Sequence, residues 1–193
     1  QDYVDMRTTD WWRSEESQAL FDLVAPLSYR DRYTMPKLIL NAAGDEFFVP
    51  TSSQFYYDKL PGEKYLRYVP NVGHGIDDSD ALETVLVFYA SLLKKHKLPN
   101  IDWSMKENGV IEITASSPPD RVSVMSAVNP SARDFRLPVI GKSWIRSEVT
   151  KLGDTRFSGN VHPAEKGWRA YFVEVVFETP FGIPFKLTSP VRV

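Results

Sequence analysis

The sequence predicts a two-part fold: an α/β part over residues 1–98, followed by an antiparallel β-sandwich of the immunoglobulin-like kind over residues 100–193. In the first part, apolar runs without polar alternation are separated by stretches of helical periodicity, which is typical of parallel strands covered by helices. After Asn100 the chain changes to short alternating runs separated by Pro, Gly, Asn and Asp turns. We therefore predict a domain boundary near Pro99.

Composition is that of an ordinary globular protein, with 193 residues, 42% hydrophobic and 25% charged. A formal net charge of −2 gives no electrostatic reason to expect binding to nucleic acid or to an anionic membrane. Because there is no cysteine, disulfides, thiolate zinc sites and cysteine nucleophiles are excluded. No apolar stretch approaches the roughly 20 residues that span a bilayer, and no signal peptide is visible after Gln1. We expect no cofactor and no metal.

The first part is predicted to alternate helices and strands. Ser14 is expected to cap a helix over residues 15–24, with acidic residues in its first turn and Pro26 ending it. Residues 37–41 and 65–69 read as buried parallel strands, because their apolar runs show no polar alternation. These two strands are the clear sheet elements of this part.

Two further helices are predicted in the first part. One begins at Thr51 or Ser52 and runs to about residue 60. The other, over residues 80–96, opens with an apparent capping box from Asp80 to Glu83 and ends in a cationic turn before Pro99. Its apolar residues recur at helical spacing and are Leu82, Val85, Leu86, Tyr89, Leu92 and Leu93.

The second part is predicted to consist of antiparallel strands. Asn108 and Gly109 favour a type I′ hairpin turn starting at Lys106, because both residues tolerate a positive φ. The alternating runs span residues 110–115, 121–128, 143–149, 155–161, 170–178 and 185–193. The aromatic residues expected in its core are Trp103, Trp144, Phe157, Trp168 and Phe172.

The candidate site consists of Asp45 and His74. Asp45 follows the first predicted strand and His74 follows the second, 29 positions later between two glycines. Since the carboxyl ends of parallel strands meet at one sheet edge, both side chains are expected there. A histidine acting as general base needs a carboxylate to fix its tautomer, so this pair predicts the acid and histidine of a serine-hydrolase triad on an α/β-hydrolase sheet. The alternative is that Asp45 caps the turn at Thr51 and His74 fills a loop.

A correctly placed nucleophile is absent from the sequence. In the α/β-hydrolase order the serine precedes the acid, within a Gly-x-Ser-x-Gly turn. Of the ten glycines, only Gly141 has a serine two residues later, and it follows His74 without the second glycine. Two strands also leave a parallel sheet unfinished, with an open edge and an apolar face. We therefore expect the chain to be the C-terminal part of a longer protein.

Other acidic residues near the pair have less specific readings. Glu46 is a possible second acid or, more simply, a solvated loop charge. Asp77, Asp78 and Asp80 either bind a metal with His74 or decorate the start of the following helix, where negative charge is stabilising.

Several segments resemble the PhoPQ-activated pathogenicity-related protein family. The chain departs from the family pattern at Ala25, Leu27 and Gly75, none of which is a proposed triad member. The segments that carry the resemblance are residues 44–48, 55–58, 60–66, 68–71, Asn129-Pro130, residues 132–136 and Trp144.

The resemblance implies an α/β-hydrolase-like domain whose nucleophile and oxyanion hole lie upstream of Gln1, followed by a β-rich domain. It favours a periplasmic or secreted location. The function expected is acyl transfer by an esterase or peptidase, with the N-terminal part of the same domain as partner and this chain inactive by itself. The alternative is a non-catalytic secreted or surface factor that uses the hydrolase scaffold for binding.

Overall fold

A computed structural model describes residues 2–106 and 108–193 of the chain. The helices in this part are α1 (Asp2–Asp5), α2 (Glu15–Val24), α3 (Ala81–Lys94) and α4 (Leu137–Ile140). The strands are β1 (Lys37–Ala42), β2 (Lys64–Val69), β3 (Ile101–Met105), β4 (Val110–Ala115), β5 (Arg121–Asn129), β6 (Ile145–Glu148), β7 (Thr150–Lys151), β8 (Arg156–Asn160), β9 (Trp168–Phe177) and β10 (Phe185–Thr188). This mixture of helices and sheets is compatible with the α/β class predicted.

Strands β1 and β2 form a parallel pair, with Lys37 opposite Lys64 and Ala42 opposite Val69. Both strands were expected from their uninterrupted apolar runs, and their positions are confirmed within one residue. Burial differs between them, because β2 is almost wholly buried while β1 is only half-buried as far as Asn41. Within the described residues, β1 therefore lacks the cover expected on its faces.

The remaining strands form two antiparallel sheets of four strands, in the orders β10-β9-β5-β6 and β3-β4-β8-β7. Their inward side chains share one hydrophobic core, in which Ile113 lies opposite Phe157 and Val124 lies opposite Val173. The alternating burial of β4 and β8 is what the two-residue repeat of their sequences predicts. The hairpin β3–β4 is also confirmed, with Gly109 at a positive φ; Glu107 of its turn lies outside the described residues.

By its internal contacts the chain divides into two compact units. One comprises the residues up to Pro36 together with residues 55–63, and the other comprises residues 37–54 and 64–193. In the second unit, Tyr65 of β2 and Val87 of α3 belong to the same hydrophobic core as the antiparallel sheets. The predicted boundary near Pro99 stays a prediction.

Helix α2 confirms the predicted cap, since the Ser14 hydroxyl accepts a hydrogen bond from the Ser17 backbone N–H at 3.2 Å. The helix predicted over residues 52–60 is wrong. Two short 3₁₀-helices, Pro50–Phe55 and Tyr57–Lys59, occupy this stretch instead. Its serines and aromatic residues have modest helix propensity, so local turns compete with an α-helix.

The predicted capping box at the start of α3 is also wrong. Asp80 precedes the helix, but its carboxylate makes no capping hydrogen bond and instead binds Arg67 of β2 and Lys186 of β10. Arg67 is 1% exposed and also donates to the Thr84 hydroxyl. Leaving a buried guanidinium without a charged partner costs more free energy than leaving a helix end uncapped. The carboxylate therefore pairs with the guanidinium.

Helix α3 buries a different face from the one its apolar pattern predicts. The residues packed inward are small, namely Ala81, Thr84, Val87 and Ser91. The predicted apolar stripe faces outward and is between 39% and 66% exposed; its members are Leu82, Val85, Leu86, Tyr89, Leu92 and Leu93. We call this set the α3 stripe.

Two expectations for the second part are corrected. The last strand ends at Thr188 rather than Val193, although Arg192 still forms an isolated bridge with Tyr171. Trp168 is 42% exposed, whereas Trp144, Phe157 and Phe172 are buried as expected.

The ion pairs of Asp80 with Arg67 and Lys186 should make the free energy of unfolding depend on pH. Burial acts to raise the pKa of Asp80, but the hydrogen bond from Lys186 and the charge of Arg67 outweigh it, and the pKa is lowered. As the pH falls, the unfolded chain therefore takes up this proton first. The carboxylate's contribution to stability is full above about pH 4 and is lost as the pH falls through the lower, folded-state pKa.

We expect Asp80→Asn to lower the free energy of unfolding at pH 7 by about 3 kcal/mol. This is the lower end of the range for buried pairs, because Asp80 is partly exposed while Arg67 stays buried. Denaturant unfolding at several pH values is the measurement, and the difference from wild type should shrink below about pH 4. Asp154→Asn, which affects the exposed pair with Lys151, is the control. A difference that is constant with pH would contradict the assignment.

Candidate functional site

Asp45 and His74 meet at the carboxyl ends of β1 and β2. Asp45 comes three residues after Ala42 and His74 comes five after Val69, so both leave the sheet at the same edge. The Asp45 Oδ2 atom lies 3.1 Å from His74 Nδ1. The Asp45 side chain is 7% exposed and that of His74 is 45% exposed. The carboxylate is thus buried behind an imidazole that reaches solvent.

The second oxygen of the Asp45 carboxylate is held by backbone. Its Oδ1 atom accepts hydrogen bonds from the N–H groups of Phe47 and Phe48, both at 2.8 Å. This leaves Oδ2 directed at the imidazole, as required of a carboxylate that fixes a histidine tautomer.

The side chains of the same two phenylalanines flank the imidazole. Their ring centroids lie 5.0 Å (Phe47) and 5.2 Å (Phe48) from that of His74. One dipeptide therefore orients both members of the pair, the carboxylate through its amides and the imidazole through its rings. Sequence reasoning singled out other aromatics, and the signal it missed was two large apolar residues in a loop, two and three positions after the acid.

Glu46 fixes the loop that carries His74. Its Oε2 atom accepts a hydrogen bond from the His74 backbone N–H at 3.1 Å. A Cβ atom at Gly73 would lie 2.7 Å from the same oxygen, so only glycine permits this approach. Glu46 is thus more than a solvated loop charge, since it binds the main chain of the histidine rather than its ring.

The loop after β2 is anchored at its start and takes up two left-handed residues. Asn71, in the left-handed region with φ 61°, accepts a hydrogen bond from the Trp144 backbone N–H at 2.9 Å and donates one to the Trp144 carbonyl at 3.0 Å. Ile76 is also left-handed, with φ 49°, which is unusual for a β-branched residue. The positive-φ positions of this loop are therefore Asn71 and Ile76, and not the two glycines beside His74.

The other acidic candidates take no part in the contact between Asp45 and His74. Asp80 is taken up by Arg67 and Lys186, while Asp77 and Asp78 line a cavity that also includes His74. Among residues 2–106 and 108–193, no group of three His, Asp or Glu side chains is placed to hold a metal ion.

Glu46 contributes to the lining of two cavities. One, of about 300 Å³, is mainly apolar and is lined by Asp45, Glu46, Phe47, Val49, Pro50, Thr51, Arg133, Asp134, Phe135, Arg136, Ala170, Val191 and Val193. The other, of about 240 Å³, is more polar and is lined by Glu46, Asn71, Val72, Gly73, His74, Gly75, Ile76, Asp77, Asp78, Leu137 and Lys142. We call them the apolar cavity and the polar cavity.

These features define a mixed α and β protein with a carboxylate–histidine pair at the carboxyl ends of two parallel strands. Residues 1–136 match the PhoPQ-activated pathogenicity-related protein family, and the chain belongs to that family. The chain is also 31% identical, over 198 aligned residues, to autocrine proliferation repressor protein A of Dictyostelium discoideum. The alignment covers 91% of this chain but 40% of that relative.

No solved structure matched the chain. In the part of the chain that the structure describes, no helix is long and apolar enough to cross a membrane.

The Glu46 contact predicts how the His74 loop responds to substitution. In Gly73→Ala the new methyl group would displace the Glu46 carboxylate, which can swing away without disturbing the backbone. We expect exchange of the His74 amide hydrogen to become about 10- to 100-fold faster, since a hydrogen bond to a charged group contributes about 1.5–3 kcal/mol. Glu46→Ala should match it. Hydrogen exchange followed by NMR is the measurement.

Gly75→Ala is the matched control, because its added Cβ would meet Asp77 and leave Glu46 in place. Equal exchange rates in all three variants and wild type would show that Glu46 does not hold the loop.

Proposed function

We propose that the chain supplies the acid and the histidine of a Ser-Asp-His triad in a hydrolase of esterase or peptidase type. The observation that carries the proposal is the 3.1 Å contact between Asp45 Oδ2 and His74 Nδ1, with the carboxylate fixed from behind by two amides. The serine and the oxyanion hole belong to residues upstream of this chain.

The proposed fold follows from the same premise. Strands β1 and β2 belong to a larger parallel α/β-hydrolase sheet, which explains why β1 pairs only with β2 among the described strands and why its faces are half-buried. Strands β3 to β10 form a sandwich of the immunoglobulin-like kind over residues 100–193. The N-terminal part of the hydrolase domain is the partner that completes the sheet.

In this mechanism His74 takes the proton of the serine hydroxyl as the oxygen attacks the substrate carbonyl. The imidazolium then gives that proton to the leaving group, and a covalent acyl intermediate remains for water to hydrolyse. Asp45 stays ionised, holds the proton on Nδ1 and stabilises the imidazolium. The two phenylalanine rings flank the imidazole and limit its rotation.

A fluorophosphonate probe, which reacts with activated serines, tests the proposal. We expect the longer protein to be labelled, and His74→Ala to abolish the labelling. The 193-residue chain alone should be neither labelled nor able to turn over p-nitrophenyl acetate above background, because no serine of this chain lies in the elbow sequence before Asp45. Saturable turnover by the isolated chain that His74→Ala removes would overturn the assignment of an upstream nucleophile.

The second candidate is a secreted signalling factor that uses the scaffold for binding. The favouring observation is the Dictyostelium relative, whose name describes an autocrine repressor of proliferation. A non-nucleophile at the elbow position of the longer protein, together with an absence of probe labelling, would favour this candidate over the enzyme.

A further inference from the structure

The apolar cavity has a buried floor. Ala170 and Val191 form it and are almost completely inaccessible to solvent, while Phe135 and Val49 contribute apolar wall. A concave site with apolar walls and a few polar groups is the usual form of a small-molecule pocket. Its volume of about 300 Å³ is at the small end of the range for such pockets.

Most of the charges that line this cavity are already engaged. Asp134 and Arg136 pair with each other, with Arg136 Nε 2.9 Å from Asp134 Oδ1. Asp45 is occupied by His74 and two amides, and Glu46 is occupied by the His74 N–H. The surface left for a ligand is therefore mainly apolar, with the exposed Arg133 beside it.

Phe47 connects this cavity to the imidazole. Its side chain lines the cavity, and its ring also makes an edge contact with His74. An apolar group seated against Phe47 would therefore keep the rest of its molecule next to the imidazole. The polar cavity, which His74 itself lines, would receive the polar remainder.

We propose that the apolar cavity binds the apolar acyl or side-chain group of the substrate and so sets the substrate class. Its occupant is an ester or amide with an apolar group, and about ten heavy atoms fill it, the carbonyl group and the atom attached to it included, since a water-sized group takes about 30 Å³. That this ligand is a substrate rests on the proposed hydrolase function. That the cavity binds the ligand does not.

A titration of the 193-residue chain with linear amides, from acetamide through hexanamide and octanamide to decanamide, tests this. Affinity should rise about fourfold for each added methylene as far as octanamide, which has ten heavy atoms, and then level off. The methyl NMR signals of Ala170 and Val191 should shift on binding. Affinity that is independent of chain length, or that keeps the fourfold increment at decanamide, would overturn the proposal.

Two variants distinguish binding in the cavity from nonspecific hydrophobic binding. Val49→Trp fills the cavity from an exposed position and should weaken octanamide binding at least tenfold. Leu152→Trp adds the same ring at an exposed position elsewhere and should leave the affinity within twofold. Equal affinity in the Val49→Trp variant and the wild type would refute the site.

The amide titration and the fluorophosphonate labelling test the cavity and the triad separately. Chain-length-dependent binding together with an unlabelled longer protein would keep the cavity as a ligand site and remove the hydrolase. Probe labelling of the longer protein without chain-length dependence would remove the cavity proposal alone.

Discussion

Replacing Asp45 by Asn in the longer protein, with the upstream serine that we propose, is expected to lower kcat about 10⁴-fold. The amide has nearly the same shape as the carboxylate, and its oxygen can still accept the hydrogen bonds from Phe47 and Phe48. Its NH₂ group, however, would face His74 Nδ1 as a donor. The imidazole would then carry its proton on Nε2, where it cannot accept one from serine.

The isolated chain offers a second measurement of the same effect, because the pair is complete within it. In wild type, ¹⁵N NMR of the neutral His74 ring should report the proton on Nδ1, and in Asp45→Asn it should report the proton on Nε2. Asp102→Asn, at an exposed position on β3, is the matched control and should change neither the tautomer nor kcat. Full activity in Asp45→Asn, with the tautomer unchanged, would show that another residue acts as the acid.

The proximity of Asp45 and His74 was predictable because it depends on topology. Two apolar runs without alternation indicate parallel strands, and parallel strands bring their following loops to one edge. The cap at Ser14 and the β3–β4 hairpin were predictable for a similar reason, since each depends on neighbouring residues. Local rules and simple topology therefore account for the position of the site.

The contacts that refine the site depend on distant or unpatterned residues. Asp80 looks like a helix cap in the sequence, but its partner Lys186 lies 106 positions away. Glu46 accepts a hydrogen bond from the backbone N–H of His74, 28 positions away. The approach requires a glycine at position 73 because a side chain there would collide with the Glu46 carboxylate, and not because of an unusual backbone conformation. No periodic signal encodes either contact, so only the folded arrangement reveals them.

Helix α3 shows why the buried face of a helix is not always its most apolar face. The helix contacts β10 and β1, and its buried residues include the small Ala81 and Ser91. The large residues of the α3 stripe are left outside. In a domain completed by further elements, such a stripe is the expected second contact face.

We therefore expect the isolated chain to associate through the α3 stripe, either with itself or with the N-terminal part that we propose for the domain. Full burial of one leucine contributes about 1.5–3 kcal/mol, and typical net stability is roughly 5–15 kcal/mol. Covering Leu82, Leu86 and Leu93, each about half-exposed or more, thus provides about 3–5 kcal/mol in total, which reaches the lower end of that range. Sedimentation equilibrium should reveal species larger than 22.0 kDa.

Charged substitutions test whether the stripe is the surface responsible. Leu86→Glu combined with Leu93→Glu should weaken self-association at least 100-fold, because each carboxylate would have to be desolvated in the contact. Val139→Glu combined with Leu152→Glu places the same charges on other exposed apolar positions and should leave it unchanged. The same double variant of the stripe should also lose binding to a separately expressed N-terminal part. The prediction is wrong if the wild-type chain sediments as a monodisperse 22.0 kDa monomer, melts cooperatively and does not bind that N-terminal part. The α3 stripe would then be stable while exposed to solvent.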